Sequence, residues 1–230
     1  MKTTIRLAAY FAFSLFFTLP SVAQDWPGLQ QFKEENKKLA PPTENENRVV
    51  FMGNSITIGW LNTRPEFFEG KPYINRGISG QTTPQMLIRF RQDVLDLQPK
   101  VVVILAGTND IAGNTGPSSL EMIVDNIKSM AQLAQANGIK VIISSVLPAY
   151  DYPWRPGLKP NEKIPALNTL LKEYAVNNGF LYLDYFSAMA DERNGLPKKY
   201  AKDEVHPTAE GYSVMEPMVE ETIHKVLKLN

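Results

Sequence analysis

Nearly unbroken apolar runs recur along the chain at Val49–Met52, Val101–Ala106, Lys140–Val146 and Phe180–Tyr185, with a weaker one at Tyr73–Asn75. Between them lie longer segments in which apolar residues return at helical spacing, roughly Pro84–Leu97, Ser118–Asn137, Asn161–Asn178 and Thr208–Leu227. Runs made almost wholly of Val, Ile and Leu, such as Val101 to Leu105, suit strands of a parallel sheet covered on both faces. Their alternation with helices predicts a doubly wound α/β architecture. Upstream, Asp25 to Leu39 reads as a short polar helix that Pro41-Pro42 stops, with Trp26 packed against it. Residues 148–160 form the most irregular insertion. No internal repeat or low-complexity tract interrupts the pattern, so 49–230 reads as one domain, preceded by a helix and connector over 24–48.

The first 23 residues break the pattern. Lys2 and Arg6 precede an apolar stretch from Leu7 to Leu19, and Ser21-Val22-Ala23 follows as a small-x-small site. That order is that of a secretory signal peptide, cut after Ala23. Its apolar stretch is shorter than the roughly 20 residues of a membrane-spanning helix. The expectation is an exported, soluble product, periplasmic or secreted from a bacterial cell, with no stable membrane insertion.

Composition narrows the function. The 24 Lys and Arg residues balance 24 Asp and Glu across 230 residues. The basic excess of a nucleic-acid-binding protein is therefore missing. There is no cysteine, which excludes disulfides, thiolate metal sites and a cysteine nucleophile. Imidazole chemistry has two candidates, His206 and His224, too few for a His-rich zinc site. No metal or cofactor is expected.

In open parallel sheets, ligands collect at the carboxyl ends of the strands. Four blocks lie there: Gly53-Asn54-Ser55-Ile56, Asn75 to Thr83 with Gly77 and Gly80, Gly107-Thr108-Asn109-Asp110, and Asp203-Glu204-Val205-His206-Pro207. Singly, each has a plain structural reading. Ser55 could be a helix cap, Gly80 part of a turn, Asn109 the start of an Asx turn, and Asp203 and His206 two polar loop residues. Together they supply a nucleophile, oxyanion donors, a base and an orienting acid.

The order and spacing of these blocks resemble the SGNH-hydrolase, or GDSL-like lipase/acylhydrolase, superfamily, over roughly Val49 to Tyr212. The four letters fall on Ser55, Gly80, Asn109 and His206. Two positions depart from the usual pattern: Asn54 stands where Asp usually precedes the serine, and Gln81 follows Gly80 where Asp is more common. The resemblance implies a flavodoxin-like three-layer α/β/α fold with a parallel central sheet. It also implies a Ser55–His206–Asp203 triad and an oxyanion hole of the Ser55 and Gly80 N–H groups and the Asn109 amide. Within the superfamily the chain is similar to carbohydrate acetylesterases and platelet-activating-factor-acetylhydrolase-like members. A short-chain acyl ester, acetyl above all, on a glycan or small molecule is the expected substrate. A lysophospholipase or thioesterase, or a non-catalytic glycan-binding protein, are the other readings. Trp60 could be core or could line the crevice. Trp154, in the 148–160 insertion beside Arg155, could wall it or merely stiffen a proline-rich loop. His224 reads as a solvated helix residue.

Overall fold

The computed structural model describes residues 24–229, so the signal-peptide expectation for 1–23 lies outside the described residues. Five strands, β1 (Val49–Gly53), β2 (Tyr73–Gly77), β3 (Val101–Leu105), β4 (Lys140–Ser144) and β5 (Leu181–Leu183), form one sheet in the order β2-β1-β3-β4-β5. Every neighbouring pair is parallel, with Val49 opposite both Tyr73 and Val101. The helices are α1 (Lys33–Lys38), α2 (Ser55–Thr63), α3 (Thr83–Asp93), α4 (Thr108–Ile111), α5 (Leu120–Ala136), α6 (Pro160–Asn177), α7 (Tyr185–Met189) and α8 (Ala209–Lys228).

Alternation along the strands builds two cores. Val50, Met52, Val102 and Ile104 face one side and pack with Met86, Phe90, Ile123 and Ile127 of α3 and α5. Phe51, Val101, Val103 and Leu105 face the other, against Ile56 and Trp60 of α2 and Met215 and Val219 of α8. A strand buried on both faces has no polar side, which is why β1 and β3 read as continuous apolar runs. The fold is the three-layer α/β/α sandwich with a parallel central sheet that the resemblance implies. Among the described residues no helix is long and apolar enough to cross a membrane.

The amino-terminal helix is shorter than expected, spanning Lys33–Lys38 rather than Asp25–Leu39. Pro27-Gly28 prevents an earlier start: Gly28 has φ +73°, and the Asp25 carboxylate instead caps a turn at Leu29 and Gln30. Trp26, expected to pack on that helix, is instead largely exposed. Two short helices, α4 and α7, begin directly beyond β3 and β5. Asp184 cuts β5 short by accepting the Ser187 N–H and starting α7.

The strand order reverses direction from β1, outward to β2 and then back to β3. The crevice at the carboxyl ends of β1 and β3 is therefore the switch point where such sheets bind ligands.

Candidate active site

Ser55 is the first residue of α2, immediately past β1. The cap is Asn54, buried, whose Oδ1 accepts the Ile56 N–H at 3.1 Å. Asn54 thus does locally what an aspartate would do, and Ser55 is left free of capping duty. The first turn of α2 lies hard against the sheet: a Cβ on Gly53 would sit 2.0 Å from Thr57 Oγ1, and one on Gly77 2.3 Å from the Ile58 nitrogen.

His206 comes from the loop before α8. Its Nε2 lies 2.9 Å from Ser55 Oγ, and its Nδ1 lies 2.6 Å from Asp203 Oδ2. A carboxylate only accepts, so this contact places the proton on Nδ1 and leaves Nε2 to accept the Ser55 hydroxyl proton. Asp203 Oδ1 also accepts the Val205 and His206 N–H groups, at 3.1 and 2.7 Å. Glu204, with φ +63°, makes the tight turn that allows this. Burial pushes the Asp203 carboxyl up, but the bonds from the His206 backbone and ring, the Val205 N–H and the His206 charge outweigh it, holding the carboxyl below its ordinary value.

On the opposite side, Gly80 adopts φ +77°, a conformation that costs glycine little. Its carbonyl takes a hydrogen bond from Asn114 Nδ2 at 3.0 Å. Asn109, the second residue of α4, is buried and donates from Nδ2 to the Gln81 carbonyl at 2.9 Å. The next residue, Asp110, accepts the Thr83 N–H and hydroxyl and so ties α4 to the start of α3. Burial pushes its carboxyl up to about 6, against the lowering effect of those bonds. Among the described residues, neither the Ser55 nor the Gly80 N–H has a hydrogen-bond acceptor, so both are available to an anion.

The two tryptophans separate. Trp60 is a core residue, 2% exposed, stacked on Phe67 and Tyr212 with ring centroids 4.9 and 5.5 Å away. Five residues along a helix turn it about 140° from Ser55, so it faces the sheet and α8 and cannot line the crevice. Of the two places the sequence left open for Trp60, core or crevice lining, it takes the core, so it is not a substrate contact. Trp154 is 47% exposed, stacked on the buried Tyr152, with its ring 5.9 Å from that of His206. The insertion is anchored. Arg155 donates to the Ala112 and Gly113 carbonyls, and the Tyr152 hydroxyl contacts the Thr108 hydroxyl and carbonyl. His224 is exposed on α8.

Clefts of about 290 and 440 Å³ flank Asp203, the first against Tyr152 and Pro153, the second against Thr63 and His206. A cleft of about 490 Å³ between α1 and β2 holds no such nucleophile and base. Among the described residues no cluster of three acidic or histidine side chains converges as a metal would require.

Residues 51–214 match the model of the GDSL-like lipase/acylhydrolase family. Two crystal structures are closely similar. One, from Bacteroides fragilis and described as an acylhydrolase, is 50% identical with TM-score 0.87, covering 89% of this chain and all of the other. The second, a GDSL-like lipase from Bacteroides thetaiotaomicron, is 49% identical with TM-score 0.85, covering 86% and 98%. An acetylxylan esterase of Xylanibacter ruminicola is 26% identical over 228 residues, covering 83% of this chain and 46% of the esterase. The chain spans less than half the length of the curated relatives it matches.

Proposed function

The chain belongs to the GDSL-like lipase/acylhydrolase family, and from that premise we propose that it is an exported serine esterase removing short acyl groups, acetyl above all, from carbohydrates. One observation carries the reading: Ser55, His206 and Asp203 stand in a continuous 2.9 and 2.6 Å relay at the switch-point crevice.

In this mechanism His206 Nε2 takes the Ser55 proton as Oγ bonds to the ester carbonyl carbon. The negative charge develops on the carbonyl oxygen, held by the Ser55 and Gly80 N–H groups and the Asn109 amide. Collapse breaks the bond to the alcohol oxygen, which receives the proton from His206. Water then attacks the acyl-Ser55, giving its proton to His206, and carboxylic acid leaves as the serine is restored. Asp203, held ionised, supports the imidazolium in both halves.

The carbohydrate reading rests on the openness of the alcohol side. The His206 and Asp203 side chains are 40 and 41% exposed, and Trp154, itself 47% exposed, presents an aromatic face beside them with its ring 5.9 Å from that of His206. Such a face suits a bulky polar leaving group such as a sugar. The acetylxylan esterase relative points the same way. Export rests on the residues before Gln24.

A series of aryl esters from acetyl to octanoyl, followed by acetylated xylan, tests this. A steep fall in kcat/KM with acyl length and release of acetate from the polysaccharide are expected. An open apolar groove would instead gain about 0.8 kcal/mol per buried methylene. A maximum at octanoyl would reject the acetylesterase reading in favour of a lysophospholipase or thioesterase.

A further inference from the structure

Gln81 is buried, and each of its polar groups has a different partner. Its side-chain Oε1 accepts Arg89 Nε at 2.6 Å, its Nε2 donates to the Pro27 carbonyl at 2.7 Å, and its backbone carbonyl accepts Asn109 Nδ2 at 2.9 Å. The last bond has a chemical consequence for Asn109. A carbonyl can only accept, so it decides which end of the Asn109 amide faces it. One of the two amide hydrogens is consumed, and the other is held in a fixed direction in the amide plane.

Arg89 is wholly buried and bonded on every side. Beyond Gln81 it donates to the Gly53 and Arg76 carbonyls, at the ends of β1 and β2, and to Asp93 Oδ2 at 3.0 Å. Asp93 Oδ1 accepts Asn36 Nδ2 at 2.7 Å, and Asn36 Oδ1 accepts Arg76. The circuit therefore leaves the segment before β1 at Pro27, passes through Gln81, Arg89 and Asp93, and returns to that segment at Asn36. Residues 24–39 precede the 51–214 family match yet hold Gln81 at both ends of this circuit.

We infer that Gln81 is a positioning residue for the Asn109 oxyanion donor, and that the segment before β1 braces it through Pro27 and Asn36. The inference rests on the reading that Asn109 stabilises the oxyanion. Buried polar circuits of this kind lock one geometry because any broken link strands a desolvated partner.

The test is a double-mutant cycle on the full chain, using an aryl acetate, with a thermal melt of each variant. Asn109→Ala measures the donor, and Gln81→Met removes both side-chain links at nearly the same length. Gln81→Glu keeps the acceptor for Arg89, loses the donor to Pro27 and sets a carboxylate oxygen against that carbonyl. A donor displaced by about 1 Å loses on the order of 100-fold. Gln81→Met should therefore lower kcat about 10- to 100-fold with KM within about threefold, and Gln81→Glu should lose less. In the Asn109→Ala background the Gln81→Met loss should shrink to about threefold or less, because the donor it positions is gone. A folded Gln81→Met or Gln81→Glu enzyme with unchanged kcat, or a Gln81→Met loss fully additive with Asn109→Ala, overturns the inference. A merely structural role would lower the melting temperature and leave kcat of the folded enzyme intact. Unchanged kcat in Asn109→Ala would refute the oxyanion reading itself, and the inference with it.

Discussion

The two halves of the crevice are built differently. Around Ser55, Gly80 and Asn109 the groups beneath are buried and bonded: Asn54, Gln81, Arg89, Asn109 and Asp110 are all nearly inaccessible. Around His206 the loops are open, with Asp203 and Trp154 each more than two-fifths exposed. Charge that develops on an oxyanion is stabilised by donors that do not have to move, and burial with complete hydrogen bonding keeps them still. A base that must hand its proton to a large alcohol needs room on its far side. Rigidity on one side and access on the other are what the proposed esterase, acting on a small acyl group carried by a bulky alcohol, would require.

The largest effects should come from the residues that bridge the halves. Ser55→Ala should cost on the order of 10⁴-fold or more in kcat with an unchanged melting temperature. His206→Asn should be similarly inactive, while His224→Asn, on the solvent face of α8, should stay near normal in the same ester assay. Equal activity of the two histidine variants would dissolve the comparison, since the open half would then lack its base.

On the buried half, Asn109→Ala should cost about 100- to 1000-fold in kcat, the usual loss for one oxyanion donor. Arg89→Leu tests the foundation below it. Removing one partner of a buried ion pair strands the other, here Asp93, and costs about 3–5 kcal/mol in urea unfolding. No comparable loss should follow changes to the exposed pair Lys225–Glu221, since exposed ion pairs typically contribute about 0–1 kcal/mol.

Much of this contrast could be read from the chain. The strands and long helices were legible because burial on one or two faces imposes its period on the residues. The juxtaposition of Asp203 and His206 was legible because three residues in a turn bring their side chains together. Trp60 was ambiguous because its orientation depends on which helix face meets the sheet. The Gln81–Arg89–Asp93 circuit had one local trace, an Arg and an Asp four apart on a face that also carries Met86 and Phe90. Its partners at Pro27, Asn36 and Gly53 lie up to 57 positions away, and such pairings leave no periodic mark.

A smaller effect should appear in pH. The folded chain holds the Asp110 proton until about pH 6, whereas an unfolded chain releases it near 3.8. Between those values the folded state binds more protons, so stability falls as pH rises, by up to about 3 kcal/mol. Asp110→Asn, which can still accept the Thr83 N–H, should flatten this slope in melts between pH 4 and 6.5. An unchanged slope would mean that the buried half tolerates the charge without cost. The smallest effect belongs to the open half: Trp154→Ala should cost about three- to tenfold on acetylated polysaccharide, as loss of an aromatic contact of ~0.5–1.5 kcal/mol implies. Aryl acetates should scarcely notice.

The most direct test of the central claim is covalent. Incubation with an alkyl fluorophosphonate, followed by intact-mass analysis and peptide mapping, reports which hydroxyl the crevice activates. The account predicts one adduct per chain, on the peptide carrying Ser55, forming in step with the loss of esterase activity and absent from Ser55→Ala. Complete inactivation with Ser55 unmodified, or equal labelling of Ser55→Ala, would contradict it.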